Sequence, residues 1–528
     1  MRRVPAWALA AVLALVYLLL DPPSADLAAQ EYRTQLFRDQ GFALWDNAWY
    51  AGHHLPGYSV VFPPVAALLG PKLTGALAAV GAAWCFEQLA REQLGAGARA
   101  AALWFAAATA TSLVTGRLTF ALGAAVGLAA VLAASRGRTR WAGVLAVGTG
   151  LSSPVAGAFV ALVAGAWWLA GSRRRGHLPR PPAAAVALAG GALAPVAALT
   201  LLFPSGGSFP FTAPSFWPAL AATLVVLAIV PREQRVVRTG VALYALALVA
   251  SFAFATPMGG NAARLGALLG GPVVAGLLWP RSPRLLLALA LPLVYWQWVA
   301  PVDDWRRAAG DRSTDLAFHQ GLIGFLRDES AARGPLRVEI PFTDNHWEAR
   351  FVAPHAGLAR GWERQLDREH NALFYDGRAL TPARYERWLH DNAIKFVALP
   401  DAPLDYSAAA EARLVRGGLA YLRPVWRDGS YEVFAVRDAV PLASGARVSE
   451  LTADSVDLDA ASAGRVVVRV RFTPYWQLTQ GSGCVSATAD GWTEVRLTTA
   501  GRARLETRFA LNRVRAREPR CTATRPAE

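Results

Sequence analysis

Long apolar runs alternate with short polar breaks over residues 1–301, and the pattern then changes. A membrane-spanning helix needs about 17–25 mostly apolar residues, and eleven runs approach or reach that length. The predicted spans are 5–20, 71–90, 98–113, 119–135, 141–152, 155–171, 183–203, 215–230, 240–256, 265–280 and 285–301. This pattern predicts an α-helical polytopic membrane domain with about 11 spans.

Shorter elements follow residue 301. Helical periodicity is expected over 315–332, 382–392 and 408–416, and strands over 337–342, 395–399 and 431–436. From about Val440, short segments alternate polar and apolar residues between Gly and Ser. The chain is therefore expected to comprise a transmembrane domain (1–301), an α/β domain (302–437), and a small β-sandwich domain with a polar tail (438–528).

The distribution of charge decides between two classes of protein. The chain is 54% hydrophobic and 17% charged, with a net charge of +15. Its apolar content excludes disorder, while its basic excess is typical of nucleic-acid binding. However, residues 1–301 hold 21 Lys and Arg against 8 Asp and Glu, whereas residues 302–528 hold 32 against 30. The excess lies between apolar runs, so it favours a membrane orientation signal, and we expect no nucleic-acid partner.

The basic loops predict the orientation through the positive-inside rule. With the N-terminus inside, the inside loops hold 16 basic residues and the outside loops hold 5. The basic residues of the outside loops are Arg33, Arg38, Lys72, Arg117 and Arg264. We therefore expect a multi-pass plasma-membrane protein with a cytoplasmic N-terminus and extracytoplasmic C-terminal domains.

The first outer loop, residues 21–58, combines acids with aromatic residues. It holds five of the eight acidic residues before residue 302. The side chains of interest are Asp21, Asp26, Glu31, Asp39, Asp46, Trp45, Trp49, Tyr58, His53 and His54. Carboxylates bond sugar hydroxyls and aromatic faces stack on sugar rings, which favours a carbohydrate site. The alternative is a solvated loop with an interfacial aromatic belt.

A long acidic loop after the first span, many further spans and a C-terminal outer region together resemble the GT-C membrane glycosyltransferases. More closely, the chain resembles the actinobacterial "6-pyruvoyl-tetrahydropterin synthase related" membrane proteins, which are themselves similar to GT-C transferases. The segments that carry the resemblance, besides the first outer loop, are TGRLTFALG (115–123), GGNAARLG (259–266), PFTDNHWEAR (341–350) and GWERQLDREHNALFYDG (361–377).

The resemblance implies transfer of a sugar from a polyprenyl-phosphate donor to a cell-envelope glycan or lipid acceptor outside the cytoplasm. It places the catalytic role on Asp26, with Glu31 as its neighbour. The spacing of these acids is expected to put both on one side of a helical turn. In this family such an acid acts as general base or binds a metal; the two acids are not adjacent here, so a divalent metal ion stays open.

Further residues are candidates for binding. Arg117 and Arg264 are lone basic residues beside Gly turns at membrane depth, where an unpaired arginine is costly. A donor phosphate would pair with them, and snorkelling to the interface is the alternative. His53 and His54 are also candidates for the donor phosphate, or else a solvated pair.

We expect the acceptor to contact aromatic and acidic residues: Trp45, Asp46, Trp49, Tyr58 and Trp362. For Trp362 a structural role is equally compatible with the sequence. Cys484 and Cys521 are disulfide candidates in an oxidising exterior, or two free thiols. The competing functional hypothesis is a non-enzymatic transporter or lipid-handling scaffold with a glycan-binding outer domain. The absence of clear internal repeats and the clustering of acids at one outer face favour the transferase.

Overall fold

The computed structural model describes residues 4–171, 183–204, 206–376 and 380–514. The chain divides into two compact units, each made of several segments. The helical unit comprises Met1–Asp39, Gly57–Thr200 and Gly206–Ala309, and the mixed unit comprises Gln40–Pro56, Leu201–Ser205 and Gly310–Glu528. The first outer loop is thus divided, with 40–56 belonging to the mixed unit.

The helical unit is built from apolar helices whose buried positions are largely alanine and glycine. Small residues let helix backbones approach closely, which replaces the hydrophobic drive that is missing between helices in lipid. The helices are α1 Trp7–Leu20, α2 Ala25–Gln40, α3 Phe62–Leu69, α4 Pro71–Gln93, α5 Ala98–Val114, α6 Leu118–Ser135, α7 Thr139–Ser152, α8 Pro154–Gly171, α9 Ala183–Leu202, α10 Ala213–Ile229, α11 Arg235–Ala253, α12 Ala263–Leu278 and α13 Pro283–Ala308.

These helices indicate a membrane protein, but they do not confirm eleven spans. Within the described residues, 7 helices are long and apolar enough to cross a membrane, or 8 if α1 and α2, which bend by 80°, form one span. Helix α7 has 14 residues and is too short, while α5 and α10 have 17 each and lie at the lower limit for a span. The predicted inside loop with Arg173, Arg174, Arg175 and Arg180 lies outside the described residues, and the orientation stays a prediction.

The break between α1 and α2 positions the first candidate acid. Helix α1 ends at Leu20; the next residue, Asp21, adopts φ +46°, and Pro22 and Pro23 follow. Proline has no N–H to continue the hydrogen-bond ladder, so the helix stops. A second helix, α2, then begins at Ala25. The predicted outer loop therefore opens with a helix of 16 residues.

The first part of the mixed unit is an α/β fold around a five-stranded sheet. The strand order is β4-β3-β5-β7-β6, in which β4, β3 and β5 are parallel and β7 and β6 are antiparallel. The bounds are β3 Arg337–Glu339, β4 Gly357–Leu358, β5 Phe396–Pro400, β6 Leu422–Arg427, β7 Tyr431–Val436, α14 Leu316–Arg333, α15 Glu348–Phe351, α16 Arg364–His370, α17 Pro382–Asp391 and α18 Ala409–Arg416. Every helix and strand predicted for this region is present, and α15, α16, β4 and β6 were not predicted from the sequence.

The second part is the expected strand-rich sandwich of two four-stranded antiparallel sheets, ordered β12-β15-β10-β9 and β13-β14-β11-β8. The bounds, with the short hairpin of the first outer loop, are β1 Trp45–Asp46, β2 His53–His54, β8 Ala443–Ser444, β9 Arg447–Leu451, β10 Ser455–Ala460, β11 Gly464–Arg471, β12 Trp476–Gln480, β13 Gly483–Ala487, β14 Trp492–Leu497 and β15 Gly501–Thr507. Inward-facing residues of both sheets form one core, in which Val456, Val495 and Leu505 are fully buried. Cys521 lies outside the described residues, so the predicted disulfide stays a prediction.

Candidate functional site

Asp26 lies in the first turn of α2, where the positive end of the helix dipole favours a carboxylate. Its side chain is 34% exposed and accepts a hydrogen bond from Arg117 Nε at 3.2 Å. The predicted base and one predicted phosphate-binding arginine are therefore direct partners. Charge-assisted hydrogen bonds of this kind fix geometry as well as adding energy.

A tight turn between α5 and α6 holds Arg117 against α2. Gly116 adopts φ +69°, and a Cβ there would lie 2.3 Å from Ser24 Oγ, so only glycine permits the contact. Gln30 fixes the two segments together: its Nε2 donates to the Gly116 carbonyl, and its Oε1 accepts from the Thr119 N–H at 3.1 Å. These hydrogen bonds hold α2 against the turn that carries Arg117, and so keep Asp26 next to Arg117.

A cavity of about 750 Å³ in the helical unit carries both predicted arginines on its wall. Most of its remaining lining is apolar, from α10, α12 and α13. Within the described residues, Arg117 and Arg264 are the charged side chains that line it. The guanidinium of Arg264 lies 5.6 Å from the Phe120 ring centre, and no ion pair holds it in the described part of the chain. Among charged side chains, Arg117 and Asp26 exert the largest electrostatic effects on the Arg264 guanidinium. The cavity therefore presents two cations within apolar walls.

Asp304, on α13, is a site residue that the sequence did not indicate. It pairs with Arg307 and lies within electrostatic range of Arg117 and Asp26. Sequence reasoning placed it beyond the last span, in another domain. Helix α13 in fact continues to Ala308, which keeps Asp304 in the helical unit.

Glu31 does not share a side of α2 with Asp26. Each residue of an α-helix rotates the side-chain direction by about 100° around the helix axis. Asp26 and Glu31 are five residues apart, so their side chains point about 140° away from each other. Glu31 acts electrostatically on Tyr17 of α1 instead. The expectation that the two acids lie on one side was wrong, because the segment is a regular helix.

The two predicted histidines are packed within the mixed unit. His53 is 3% exposed and stacks on Trp49 at 5.7 Å. His54 contacts the Pro204 carbonyl and the Thr473 hydroxyl, each at 3.1 Å, and burial lowers its pKa to about 4. The neutral imidazole of His54 supplies no cation to a phosphate, and His53 is buried against Trp49, so the structure favours a packing role for both. Both lie in a different unit from Arg117 and Arg264.

Three predicted acceptor contacts are buried. Trp45 lies in the sandwich core, Trp49 is completely buried, and Asp46 accepts a hydrogen bond from the Ala48 N–H. None of the three exposes a face that could stack on or bond a sugar, so this prediction was wrong for them. Polar and aromatic spacing cannot distinguish a surface loop from one that enters a core.

The other two predicted acceptor contacts are partly exposed. Tyr58 lies in the helical unit, with the Arg33 guanidinium 3.9 Å from its ring centre. Trp362, in the mixed unit, stacks on His346 at 3.5 Å and lies 4.8 Å from the Arg364 guanidinium. These contacts favour the structural alternative for Trp362.

No family model matches the chain, and no curated protein matches it. Two single-particle cryo-EM structures of the arabinofuranosyltransferase AftD from mycobacteria, one of them a mutant, are similar to it with TM-scores of 0.46 and 0.45 and sequence identities of 15% and 14%. The similarity covers 97% and 95% of this chain, which spans 58% and 60% of the AftD chains. A likeness at this level carries no argument about activity, and the predicted GT-C and pterin-synthase-related memberships stay predictions.

The metal ion that the sequence left open finds no set of ligands among the described residues. No group of three or more His, Cys, Asp or Glu side chains in that part of the chain is placed to hold one. Asp26 is already bonded to Arg117. We therefore derive no chemical step through a metal ion.

Two buried glutamates predict how the stability of the mixed unit depends on pH. Burial raises the pKa of Glu348 to about 8 and that of Glu411 to about 7. Between the unfolded pKa of 4.5 and the folded pKa of each group, the folded state therefore holds a proton that the unfolded chain has lost. The contribution of these two groups to stability falls as pH rises through that range. Each glutamate contributes a slope of about 1.4 kcal/mol per pH unit while only the folded state is protonated. The buried histidines oppose this trend below about pH 7.5, because their unfolded imidazoles still bind protons there. Burial lowers the folded pKa of His319 and His346 to about 4, so these groups affect the wild type and Glu348→Gln equally.

The measurement is the free energy of unfolding of the full chain in urea at several pH values from 6.5 to 8.5. Glu348→Gln is expected to flatten the curve, because the amide keeps an acceptor for the Thr343 hydroxyl without a titrating proton. A matched control is Glu386→Gln, at a partly exposed position of α17. Equal slopes for the wild type and Glu348→Gln would contradict the assignment.

Proposed function

We propose that this chain is an integral-membrane glycosyltransferase. It transfers a sugar from a polyprenyl-phosphate donor to a cell-envelope glycan or lipid acceptor on the extracytoplasmic side. The observation that carries the proposal is the cavity with two arginines in apolar walls, one of which lies 3.2 Å from the Asp26 carboxylate.

The lining of the cavity suits the donor. A polyprenyl phosphate is a long apolar chain that ends in an anion, and the cavity combines apolar walls with two guanidinium groups. Its volume of about 750 Å³ is typical of ligand sites. Arginine binds phosphate through paired N–H donors, and an arginine without an ion pair at membrane depth is otherwise costly.

The proposed reaction uses Asp26 and the two arginines. Asp26 accepts the proton of an acceptor hydroxyl as its oxygen attacks the anomeric carbon of the sugar. The bond between that carbon and the phosphate oxygen breaks, and the lipid phosphate leaves with the electron pair. Arg117 and Arg264 stabilise the negative charge that develops on the phosphate, and the low-dielectric cavity strengthens this effect.

A lipid-handling scaffold or transporter would also use an apolar cavity with two cations. The position of Asp26 beside Arg117 favours the transferase, because a carrier gains nothing from an acid beside its phosphate site. Purified protein in lipid nanodiscs separates the two functions. Consumption of a polyprenyl-phosphate sugar in the presence of acceptor supports the transferase, and tight lipid-phosphate binding without turnover supports the scaffold.

Arg264→Gln is expected to weaken donor binding about 10-fold or more, because the shorter amide keeps a hydrogen-bond donor but removes the charge that pairs with phosphate. The measurement is the equilibrium affinity for a polyprenyl phosphate in nanodiscs, with an unchanged elution profile on size-exclusion chromatography. Arg140→Gln, at an exposed position of α7, is the matched control. Equal affinities of the wild type and Arg264→Gln would remove Arg264 from the phosphate site.

A further inference from the structure

Two polar side chains, Ser112 and Asn261, line the same cavity as the two arginines. Both residues are more than nine-tenths buried, at 8% and 6% exposure. Among the described residues, Ser112 Oγ makes no hydrogen bond. Asn261 donates from Nδ2 to the Pro257 carbonyl at 3.4 Å, and its Oδ1 accepts no hydrogen bond within the described chain. The Ser112 hydroxyl and the Asn261 amide oxygen thus border the cavity without a hydrogen-bond partner among the described residues.

The two residues are tied by backbone geometry to the arginines. The Ser112 carbonyl accepts a hydrogen bond from the Arg117 N–H at 2.9 Å, so Ser112 lies directly beneath the turn that carries Arg117. Asn261 lies in the 3₁₀ turn Gly259–Ala262 that leads into α12, three residues before Arg264. That spacing places Asn261 and Arg264 one above the other on the same side of the turn. A hydroxyl and an amide therefore flank the two guanidinium groups.

A cavity that bound only a lipid chain would not need the Ser112 hydroxyl or the Asn261 amide. A prenyl chain packed against these polar atoms would exclude water from them without replacing its hydrogen bonds, so apolar side chains of similar size would suit such a chain better. Ser112 and Asn261 are close in the chain to Arg117 and Arg264, whereas the α10 and α13 walls are apolar apart from Ser215, Tyr295 and Gln297. The ligand is therefore expected to carry hydroxyl groups next to its phosphate.

We propose that Ser112 and Asn261 form the subsite for the sugar ring of the lipid-phosphate donor, an inference that rests on the proposed function. The Ser112 hydroxyl can donate and accept, and Asn261 Oδ1 can accept from a sugar hydroxyl. Sites that hydrogen-bond a substrate hydroxyl discriminate strongly against ligands that lack it. These residues thus give the cavity a preference for a glycosylated lipid phosphate over the bare lipid phosphate.

The experiment compares two classes of probe on the full chain in nanodiscs. One probe is a bare polyprenyl phosphate, and the others are the same lipid carrying one hexose or one pentose. The wild type is expected to bind at least one glycosylated lipid about 10-fold more tightly than the bare lipid. Ser112→Ala and Asn261→Leu are each expected to lose about 5-fold or more of that preference, with unchanged affinity for the bare lipid. Thr200→Val, at an exposed position of α9, is the control.

The outcomes separate this inference from the proposed function. Binding of bare and glycosylated lipids with equal affinity by the wild type overturns the subsite and leaves the phosphate site standing. A preference that survives both substitutions also overturns it, because another part of the cavity then reads the sugar. Equal losses for bare and glycosylated lipid overturn it as well, since they indicate a structural role. If the wild type binds no lipid phosphate at all, the proposed function fails and the subsite fails with it.

Discussion

Asp26→Asn is expected to lower the rate of sugar transfer by about 10²- to 10⁴-fold, the usual contribution of a positioned general base. Asparagine keeps the shape and can still accept a hydrogen bond from Arg117, but it cannot take the proton of the acceptor hydroxyl. The affinity for bare polyprenyl phosphate should change little, because Arg117 and Arg264 remain. The measurement is turnover by the purified variant in nanodiscs, beside its affinity for the lipid phosphate.

Two further variants make this result specific. Asp39→Asn changes an exposed acid of the same helix, whose carboxylate accepts only from Gln35 among the described contacts, and it should leave turnover unchanged. Glu31→Gln tests the second acid that the resemblance implied, and its different side of α2 predicts a smaller effect than that of Asp26→Asn. Normal turnover by Asp26→Asn, with a normal protein level, would contradict the assignment of Asp26 as the general base.

Asp367→Ala is expected to destabilise the mixed unit by about 3–5 kcal/mol, the cost of removing one partner of a buried ion pair. Of its carboxylate partners among the described residues, Arg360 then retains only the longer contacts, to Glu411 at 3.5 Å and Glu339 at 3.9 Å. Asp367 and Arg360 are fully buried and form two hydrogen bonds, at 3.0 and 2.7 Å. The guanidinium lies between the rings of Phe342 and Phe374, at 4.0 and 4.2 Å. Water cannot replace the lost carboxylate at such a position.

Urea unfolding of the full chain, followed by tryptophan fluorescence, measures this change. Asp459→Ala removes the acid of an exposed pair with Arg502, at 3.8 Å, and should change the free energy of unfolding by less than about 0.5 kcal/mol. A second variant, Asp367→Asn, keeps hydrogen-bond acceptance and should cost less than the alanine. Equal effects of Asp367→Ala and Asp459→Ala would contradict the view that burial makes the Arg360 pair essential.

The sequence predicted individual elements well where local signals are strong. The helix at Pro382–Asp391 begins after Thr381, whose hydroxyl caps it, with proline in the first turn. The strand at Phe396–Pro400 is buried throughout and reads as a continuous apolar run. The prediction of eleven spans was less secure, because α7 has 14 residues and α5 and α10 have 17, at or below the lower limit for a span. Apolarity alone does not determine whether a helix of that length crosses a bilayer.

The candidate site was only partly accessible to sequence reasoning. Arg117 and Arg264 were singled out because each is a lone cation at membrane depth, and both line the cavity. Ser112 and Asn261 gave no signal, because a serine in an apolar helix and an asparagine in a turn are ordinary. Asp304 was missed because it is separated from Asp26 by 278 positions in the chain.

The sequence by itself determined the apolar helices, the strand-rich C-terminal region and the cations that need an anionic partner. Those features depend on the periodicity and transfer free energy of neighbouring residues, which can be read locally. Only the tertiary structure decided that Asp26 bonds Arg117, that two arginines share one cavity, and that Trp45, Asp46 and Trp49 are buried. These features depend on which distant segments pack together, and that packing is set by contacts between residues far apart in the chain, such as Gln30 with Gly116.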